Sequence, residues 1–191
     1  MITVLYFIES MGKGGKERRL YELIRNYHYD DSLSLSLILL RNENDFPELH
    51  SLLSRQNTFF ILQSRNWFVR LFRCYKFIKE IEPQIVHAWG SINSLIAVIF
   101  KPFFGYKIVD SQITSAPKQV DVSILFHKIP FAFSEVITSN SLAGLASYQA
   151  PVHKSKVIYN GFDFERISKI KSSDIFFNVC VCCSFHLVIV L

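Results

Sequence analysis

The sequence predicts an α/β fold built on a doubly wound, mostly parallel sheet. Ile2–Ile8 is a near-continuous apolar run, which is typical of a strand buried on both faces of such a sheet. Lys16–His28 follows, with apolar residues at the i, i+3, i+4, i+7 spacing of one helix face. Apolar strands and helices then alternate along the chain, and this alternation indicates βαβ units.

Further strands are predicted wherever an apolar run is bounded by polar or turn-forming residues. They lie at residues 33–40, 58–62, 84–88, 106–110, 136–138 and 156–159. The last of them runs into Asn160-Gly161, a pair that favours a tight turn. The strand, helix and strand that end there form the closing βαβ unit of the domain.

Helices are predicted between most of these strands. Asp45 is the expected N-cap of a short helix, because Pro47 and Glu48 follow at positions favoured in the first turn. A long helix is predicted over residues 66–82, and Pro83 ends it because the residue before a proline avoids helical geometry. Further helices are predicted at 91–100 and 142–148, and residues 111–130 are predicted to be part loop and part helix.

The composition indicates one domain and excludes some functional classes. The chain has 191 residues, half of them hydrophobic, and a net charge of +5. That charge suits a phosphorylated ligand or an anionic membrane surface, but it is too diffuse to indicate nucleic-acid binding. No basic segment precedes the first apolar run, so no secretory signal is predicted. The expected location is cytoplasmic, with peripheral membrane contact left open.

The four cysteines form neither a disulfide framework nor a paired zinc motif. Cys74 is far along the chain from Cys180, Cys182 and Cys183. His186 adds one more potential ligand near that group, but the sequence has no second ligand cluster with zinc spacing. We therefore expect buried thiols, no metal site and no bound cofactor.

The last part of the sequence changes character. Residues 169–174 form a polar linker, and residues 175–191 are mostly apolar but only just long enough for a membrane span. We predict one domain over 1–168, followed by the linker and the opening strand of a second domain that is cut short. A C-terminal membrane anchor is the alternative.

Candidate ligand-binding residues lie in the loops that follow the strands, because doubly wound sheets bind ligands there. The backbone N–H groups of Gly14 and Gly15, between the first strand and first helix, are candidates for holding a phosphate. A tight turn that needs glycine is the alternative. The loop is not a dinucleotide fingerprint, because Glu17 stands where a third glycine is required.

The end of the fourth strand carries the predicted catalytic residue. His87 is a candidate hydrogen-bond donor or acid–base group, and Trp89 is a candidate to stack on a sugar or nucleobase. Ser91 is predicted to bind substrate as well, although it also suits a helix cap. A structural histidine and a core tryptophan are the alternatives.

Three more polar residues at strand ends are predicted to bind substrate. Asp110 ends the fifth strand, and among the carboxylates near that edge it is the one expected to face the site. Asn140 and Asn160 follow the sixth and seventh strands. Each of the three also suits a turn or a cap, which is the alternative in each case.

Four short motifs resemble those of family-4-like glycosyltransferases of the GT-B fold. Gly14–Leu20 resembles their Gly-Gly-x-Glu-Arg loop and first helix, and Pro83–His87 resembles their Pro-Asp-Ile-Val-His strand. Ile137–Ser141 and Val157–Asp163 resemble their closing strands. The resemblance covers about residues 1–168 and implies a Rossmann-like, acceptor-side N-terminal domain.

The resemblance also implies an activity. Such enzymes transfer a sugar from a nucleotide-sugar donor to a glycan, polysaccharide or lipid-linked acceptor, commonly without an Asp-x-Asp metal site. It implies that Gly14 and Gly15 face the donor phosphates, and it places Trp89 where the family often has a second histidine. The donor-binding half has no counterpart in the sequence, so the chain alone is expected to be inactive.

Two other functional classes are the alternatives. One is a non-catalytic α/β binding module that residues 175–191 hold to a membrane. The other is a nicotinamide-dependent oxidoreductase, for which Arg41 after the second strand would suit a 2′-phosphate. The glycine pattern argues against this last class.

Overall fold

The computed structural model describes residues 1–27, 32–54, 59–111 and 123–160. Met1–Ile158 form one unit, and a second unit begins at Tyr159, of which Tyr159 and Asn160 are described. The predicted boundary after residue 168, the linker, the apolar residues 175–191 and the cysteine cluster lie outside the described residues. They stay predictions.

Within these described ranges, one sheet of seven strands organises the first unit. The strands are β1 (Ile2–Ile8), β2 (Leu33–Leu39), β3 (Phe59–Ile61), β4 (Ile85–Trp89), β5 (Lys107–Ser111), β6 (Val136–Ser139) and β7 (Ser155–Val157). Their order across the sheet is β3-β2-β1-β4-β5-β6-β7, and every pairing is parallel. The predicted α/β, doubly wound, Rossmann-like fold is confirmed.

Helices cover both faces of this sheet. They are α1 (Gly15–Tyr27), α2 (Leu49–Ser54), α3 (Trp67–Ile81), α4 (Ser91–Phe104), α5 (Ser123–Phe133) and α6 (Leu142–Ser147). Buried residues of α1 and α2 pack on one face with Tyr6 and Ile8 of β1. Buried residues of α3 and α4 pack on the other face with Leu5 and Phe7. The apolar run of β1 is therefore buried on both faces, as predicted.

Two helices differ from their predicted limits for local reasons. The short helix begins at Leu49 and not near Asp45, because Asn44 Oδ1 accepts a hydrogen bond from Phe46 N at 3.0 Å and holds the chain in a turn first. α4 continues through Pro102 to Phe104, beyond the predicted end at residue 100. Phe100 and Phe104 both pack on the core, and this burial stabilises the additional helical turn.

β1 and β4 mark the point where the order of the strands reverses across the sheet. β1 and β4 are neighbours, but α1 leaves β1 toward one face of the sheet and α4 leaves β4 toward the other. The loops after the two strands diverge at this switch point, which is where doubly wound sheets bind ligands.

Within the described residues, no helix is both long and apolar enough to cross a bilayer.

Gly90, at the start of α4, provides a test of this architecture. Its φ of 99° and ψ of 155° are strained for any other residue. We expect Gly90→Ala to lower the free energy of unfolding by about 1–3 kcal/mol, measured by urea denaturation. The matched control is Gly15→Ala at the first residue of α1, where an added β-carbon meets no atom within 4 Å. Equal losses in both variants would contradict the strain at Gly90.

Candidate functional site

The candidate site lies at the carboxyl ends of β1 and β4. His87 and Trp89 alternate with Val86 and Ala88 along β4, so both rings lie on the face of the sheet that carries α1. The His87 ring lies 5.5 Å from that of Tyr6 and 5.0 Å from that of Trp89, between ring centres. The predicted catalytic residue and its predicted aromatic neighbour are thus in contact.

A chain of hydrogen bonds fixes the His87 ring. Its Nε2 lies 2.6 Å from Ser111 Oγ, which lies 2.6 Å from Thr138 Oγ1. These three residues come from β4, β5 and β6 in turn. Ser111 and Thr138 were not predicted as partners, because their positions opposite one another depend on strand register, which a single sequence does not show.

The environment keeps His87 uncharged at neutral pH. Burial, and to a lesser extent the positive charge of Arg19, lowers the pKa of the His87 imidazole to about 3. At neutral pH the ring is therefore a neutral imidazole with one N–H group, and the imidazolium form that a general acid needs is not populated. This favours a role in hydrogen bonding and orientation over the role of general acid.

Arg19 and Trp89 place two unsatisfied donors beside His87. The Arg19 guanidinium lies 5.8 Å from the centre of the Trp89 ring, and its Nη2 donates to Ile158 O at 2.9 Å. Its Nη1 and Trp89 Nε1 are buried and have no hydrogen-bond partner among the described residues. Two buried donors without acceptors are costly, so this is a place where ligand oxygens would be stabilised.

The glycine loop before α1 already holds a carboxylate. A β-carbon on Gly14 would collide with the Glu17 carboxylate, whose Oε1 lies 3.5 Å from Lys16 Nζ. A carboxylate is favoured there by the positive end of the helix. Gly14 and Gly15 are exposed at the helix start, and phosphate binding by their N–H groups stays a prediction.

Ser91 and Asp110 make contacts within the protein. Ser91 Oγ lies 2.7 Å from Nδ1 of His127 on α5, a partner that the sequence did not reveal. Asp110 is fully buried, and its Oδ1 accepts from Ser94 Oγ at 2.8 Å. Asp110 pairs with Ala88, so it lies on the opposite face of the sheet from His87. In this arrangement it stabilises the start of α4, and substrate binding by it stays a prediction.

Neither predicted asparagine is among the residues that contact His87 or Trp89 in the first unit. Asn140 is half-buried after β6, directly before Ser141, whose Oγ caps α6 by accepting from Gly144 N at 3.0 Å. Asn160 is exposed and belongs to the second unit. The residues that the structure brings together are therefore His87, Trp89 and Arg19.

The uncharged state of His87 predicts a pH dependence of stability. In the unfolded chain this residue gains a proton near its ordinary pKa of 6.5, and in the folded chain only near 3. The unfolded state binds more protons between these values. The free energy of unfolding should therefore fall as pH decreases through this range, by up to about 1.4 kcal/mol per pH unit.

His87→Gln is expected to reduce that slope, as measured by urea denaturation at several pH values. Burial also lowers the pKa of His127, so His127→Gln should reduce the slope in the same direction. His153→Gln, at an exposed position, is the control. If His87→Gln and His153→Gln give the same slope, His87 is not held uncharged by folding.

Comparisons with known proteins establish the fold. The sequence matches no protein-family model, and no curated protein matches it significantly. HepE from Anabaena, in complex with UDP and glucose, matches with 19% identity and a TM-score of 0.67 over 85% of this chain and 45% of its own. The galactosyltransferase WaaB of the lipopolysaccharide outer core matches with 15% identity and a TM-score of 0.60, over 85% of this chain and 46% of its own.

An enzyme of another class has a similar structure. The UDP-GlcNAc 2-epimerase of Methanocaldococcus jannaschii matches with 12% identity and a TM-score of 0.57, over 82% of this chain and 45% of its own. The chain thus has the Rossmann-like fold found in GT-B glycosyltransferases, and it spans about half the length of these structures. At such low identities the similarity shows the fold, and activity has to be argued from the site.

Proposed function

We propose that this chain forms the acceptor-side, N-terminal domain of a family-4-like glycosyltransferase. The enzyme would transfer a sugar from a nucleotide-sugar donor to a glycan, polysaccharide or lipid-linked acceptor, as in polysaccharide biosynthesis. The observation that carries the proposal is the structural similarity, over 85% of the chain, to HepE in complex with UDP and glucose. The unsatisfied donors at the switch point support it.

In this proposal the site residues orient the reactants and stabilise charge. The bond between the anomeric carbon and the leaving diphosphate breaks, a bond to the acceptor oxygen forms, and the proton of the acceptor hydroxyl passes to the leaving diphosphate. Arg19 Nη1 and Trp89 Nε1 donate hydrogen bonds to ligand oxygens, and the positive charge of Arg19 opposes the negative charge on the leaving group. His87, fixed by Ser111, orients a sugar hydroxyl.

The nucleotide would be held mainly by a second half of the enzyme. This chain covers 45% of HepE, so most of that protein has no counterpart in it. We therefore expect the isolated chain to bind sugar ligands weakly and to catalyse no transfer.

Tryptophan fluorescence tests ligand binding at the proposed site. The chain has two tryptophans, Trp67 and Trp89, so Trp67→Phe leaves Trp89 as the single reporter. We expect UDP-glucose or an oligosaccharide to change its emission with saturation, because the buried Nε1 gains an acceptor. In the Trp67→Phe background, Arg19→Gln should weaken binding by about tenfold through loss of a charge-assisted hydrogen bond.

Two controls accompany this titration. Trp89→Phe, which leaves only the exposed Trp67, should show no saturable change. UDP release from UDP-glucose by the isolated chain should stay at background. An unaltered Trp89 emission across a panel of nucleotide sugars and glycans would contradict the proposed site, and turnover by the chain alone would contradict the need for a second half.

The surface of α3 supports contact with a membrane that carries a lipid-linked acceptor. Trp67, Phe68 and Phe72 are 42%, 80% and 64% exposed in its first half. Arg73 and Lys76 follow on the same helix and are also exposed. Aromatic residues beside basic ones are typical of helices that lie on anionic bilayers.

Vesicle sedimentation tests this contact. We expect the double variant Phe68→Ser, Phe72→Ser to bind vesicles containing phosphatidylglycerol about tenfold more weakly or worse. The reason is that two aromatic rings, exposed in the free protein, no longer insert into the bilayer interface. Leu142→Ser on α6 is the control, since Leu142 is 68% exposed near the other edge of the sheet. Equal binding by both variants would exclude α3 as the contact surface.

A further inference from the structure

A basic cavity lies at the carboxyl ends of β2 and β3. Residues 40–43 after β2 and 63–65 after β3 line it together with Arg70 of α3, and its volume is about 440 Å³. β2 and β3 pair in parallel, so these loops meet at one edge of the sheet. The volume is in the range of ligand pockets, and no residue of the His87 site lines the cavity.

The charges of the lining favour an anion. Three guanidinium groups line the cavity, from Arg41, Arg65 and Arg70, against the single carboxylate of Glu43. Arg41 Nη2 pairs with Glu9 Oε1 at 2.7 Å, which offsets part of its charge. Across the described ranges, neither Arg65 nor Arg70 forms an ion pair. Two positive charges are thus available to a ligand.

Arg70 is held in place for binding. Its Nη2 donates to Ser64 O at 2.6 Å, and its guanidinium lies 5.7 Å from the centre of the Trp67 ring. Its Nε is buried and lacks a hydrogen-bond partner in the part of the chain that the structure describes. α3 begins at Trp67, so the positive end of its dipole lies at the same rim. A ligand oxygen would satisfy a donor that is already fixed in orientation.

We propose that this cavity binds a phosphate group, with Arg70 as the fixed donor and the exposed Arg65 as a second one. Guanidinium groups recognise phosphate through paired, charge-assisted hydrogen bonds. We assign this phosphate to the acceptor substrate, and that assignment rests on the proposed glycosyltransferase function. A soluble phosphorylated glycan and a lipid head group share the required chemistry.

Nuclear magnetic resonance of the arginine Nε–H groups gives a direct test. Inorganic phosphate and glucose 6-phosphate should shift the Arg70 Nε–H signal with saturation, and uncharged glucose should not. Arg65→Gln and Arg70→Gln should each weaken phosphate binding by about tenfold or more. Arg73→Gln is the matched control, because Arg73 also donates to this loop, at Gln63 O (3.1 Å), but does not line the cavity.

The outcomes separate the possibilities. Equal phosphate affinity in Arg65→Gln and Arg73→Gln, or equal binding of glucose and glucose 6-phosphate, would overturn the proposal. Arg65 is exposed, so this comparison holds even where Arg70→Gln fails to fold. Phosphatidylcholine vesicles with and without phosphatidic acid distinguish the sources. A lipid phosphate is supported if vesicle binding requires both phosphatidic acid and Arg65 and if inorganic phosphate displaces the vesicles. A soluble phosphate is supported if the chain binds inorganic phosphate but does not bind these vesicles.

The same samples distinguish this proposal from the proposed function. Phosphate binding at Arg70 with no response of Trp89 to nucleotide sugars or glycans would reject the glycosyltransferase assignment and keep the cavity. A Trp89 response with no phosphate binding would reject the cavity alone.

Discussion

β1 hydrogen-bonds β2 along one side and β4 along the other, and helices bury its side chains from Val4 to Ile8 on both faces. A strand in this position cannot shift without exposing apolar residues or breaking two ladders. β2 and β3 lie on one side of this fixed strand, and β4 to β7 lie on the other. The divergence of the loops at the switch point follows from this constraint.

Desolvation gives the candidate site its chemical character. The same packing that encloses Trp89 and His87 keeps the imidazole uncharged and leaves the Trp89 and Arg19 donors without acceptors. In a medium of low dielectric constant, each of these effects is stronger than it would be in water. In the proposed function, this environment suits hydrogen bonding to polar ligand atoms better than proton exchange with them.

Local patterns were sufficient to predict the elements of the fold. The strands and the α1 and α3 helices follow from periodicity and from the residues at element ends. The capping of α3 by Asn66 was not predicted. One wrong limit depends on which of two neighbouring residues orders the backbone, because the side chain of Asn44, next to Asp45, accepts the hydrogen bond that forms the turn. The other depends on tertiary packing, which extends α4 beyond its predicted end. Such competition between local signals and packing is not visible in one sequence.

The predicted site was only partly accessible to the same reasoning. His87 and Trp89 were identified because they lie at the end of a strand, but Asp110 lies at a similar strand end on the opposite face of the sheet. Register decides which strand-end residues share a face, and register is a long-range property. His127 gave no signal, since α5 has little amphipathic pattern around it, and Arg65 and Arg70 are brought to Arg41 only by the pairing of β2 with β3.

Glu17 gives the loop before α1 an occupant of its own. Its carboxylate lies over Gly14 and close to Lys16, where the helix end would attract an external phosphate. A phosphate bound there would have to displace the Glu17 carboxylate, an anion that the chain itself supplies. Because one anion replaces another, the binding free energy depends on how much more strongly the helix end attracts the phosphate than the Glu17 carboxylate. In the proposed function, such an exchange would favour highly charged groups over singly charged ones.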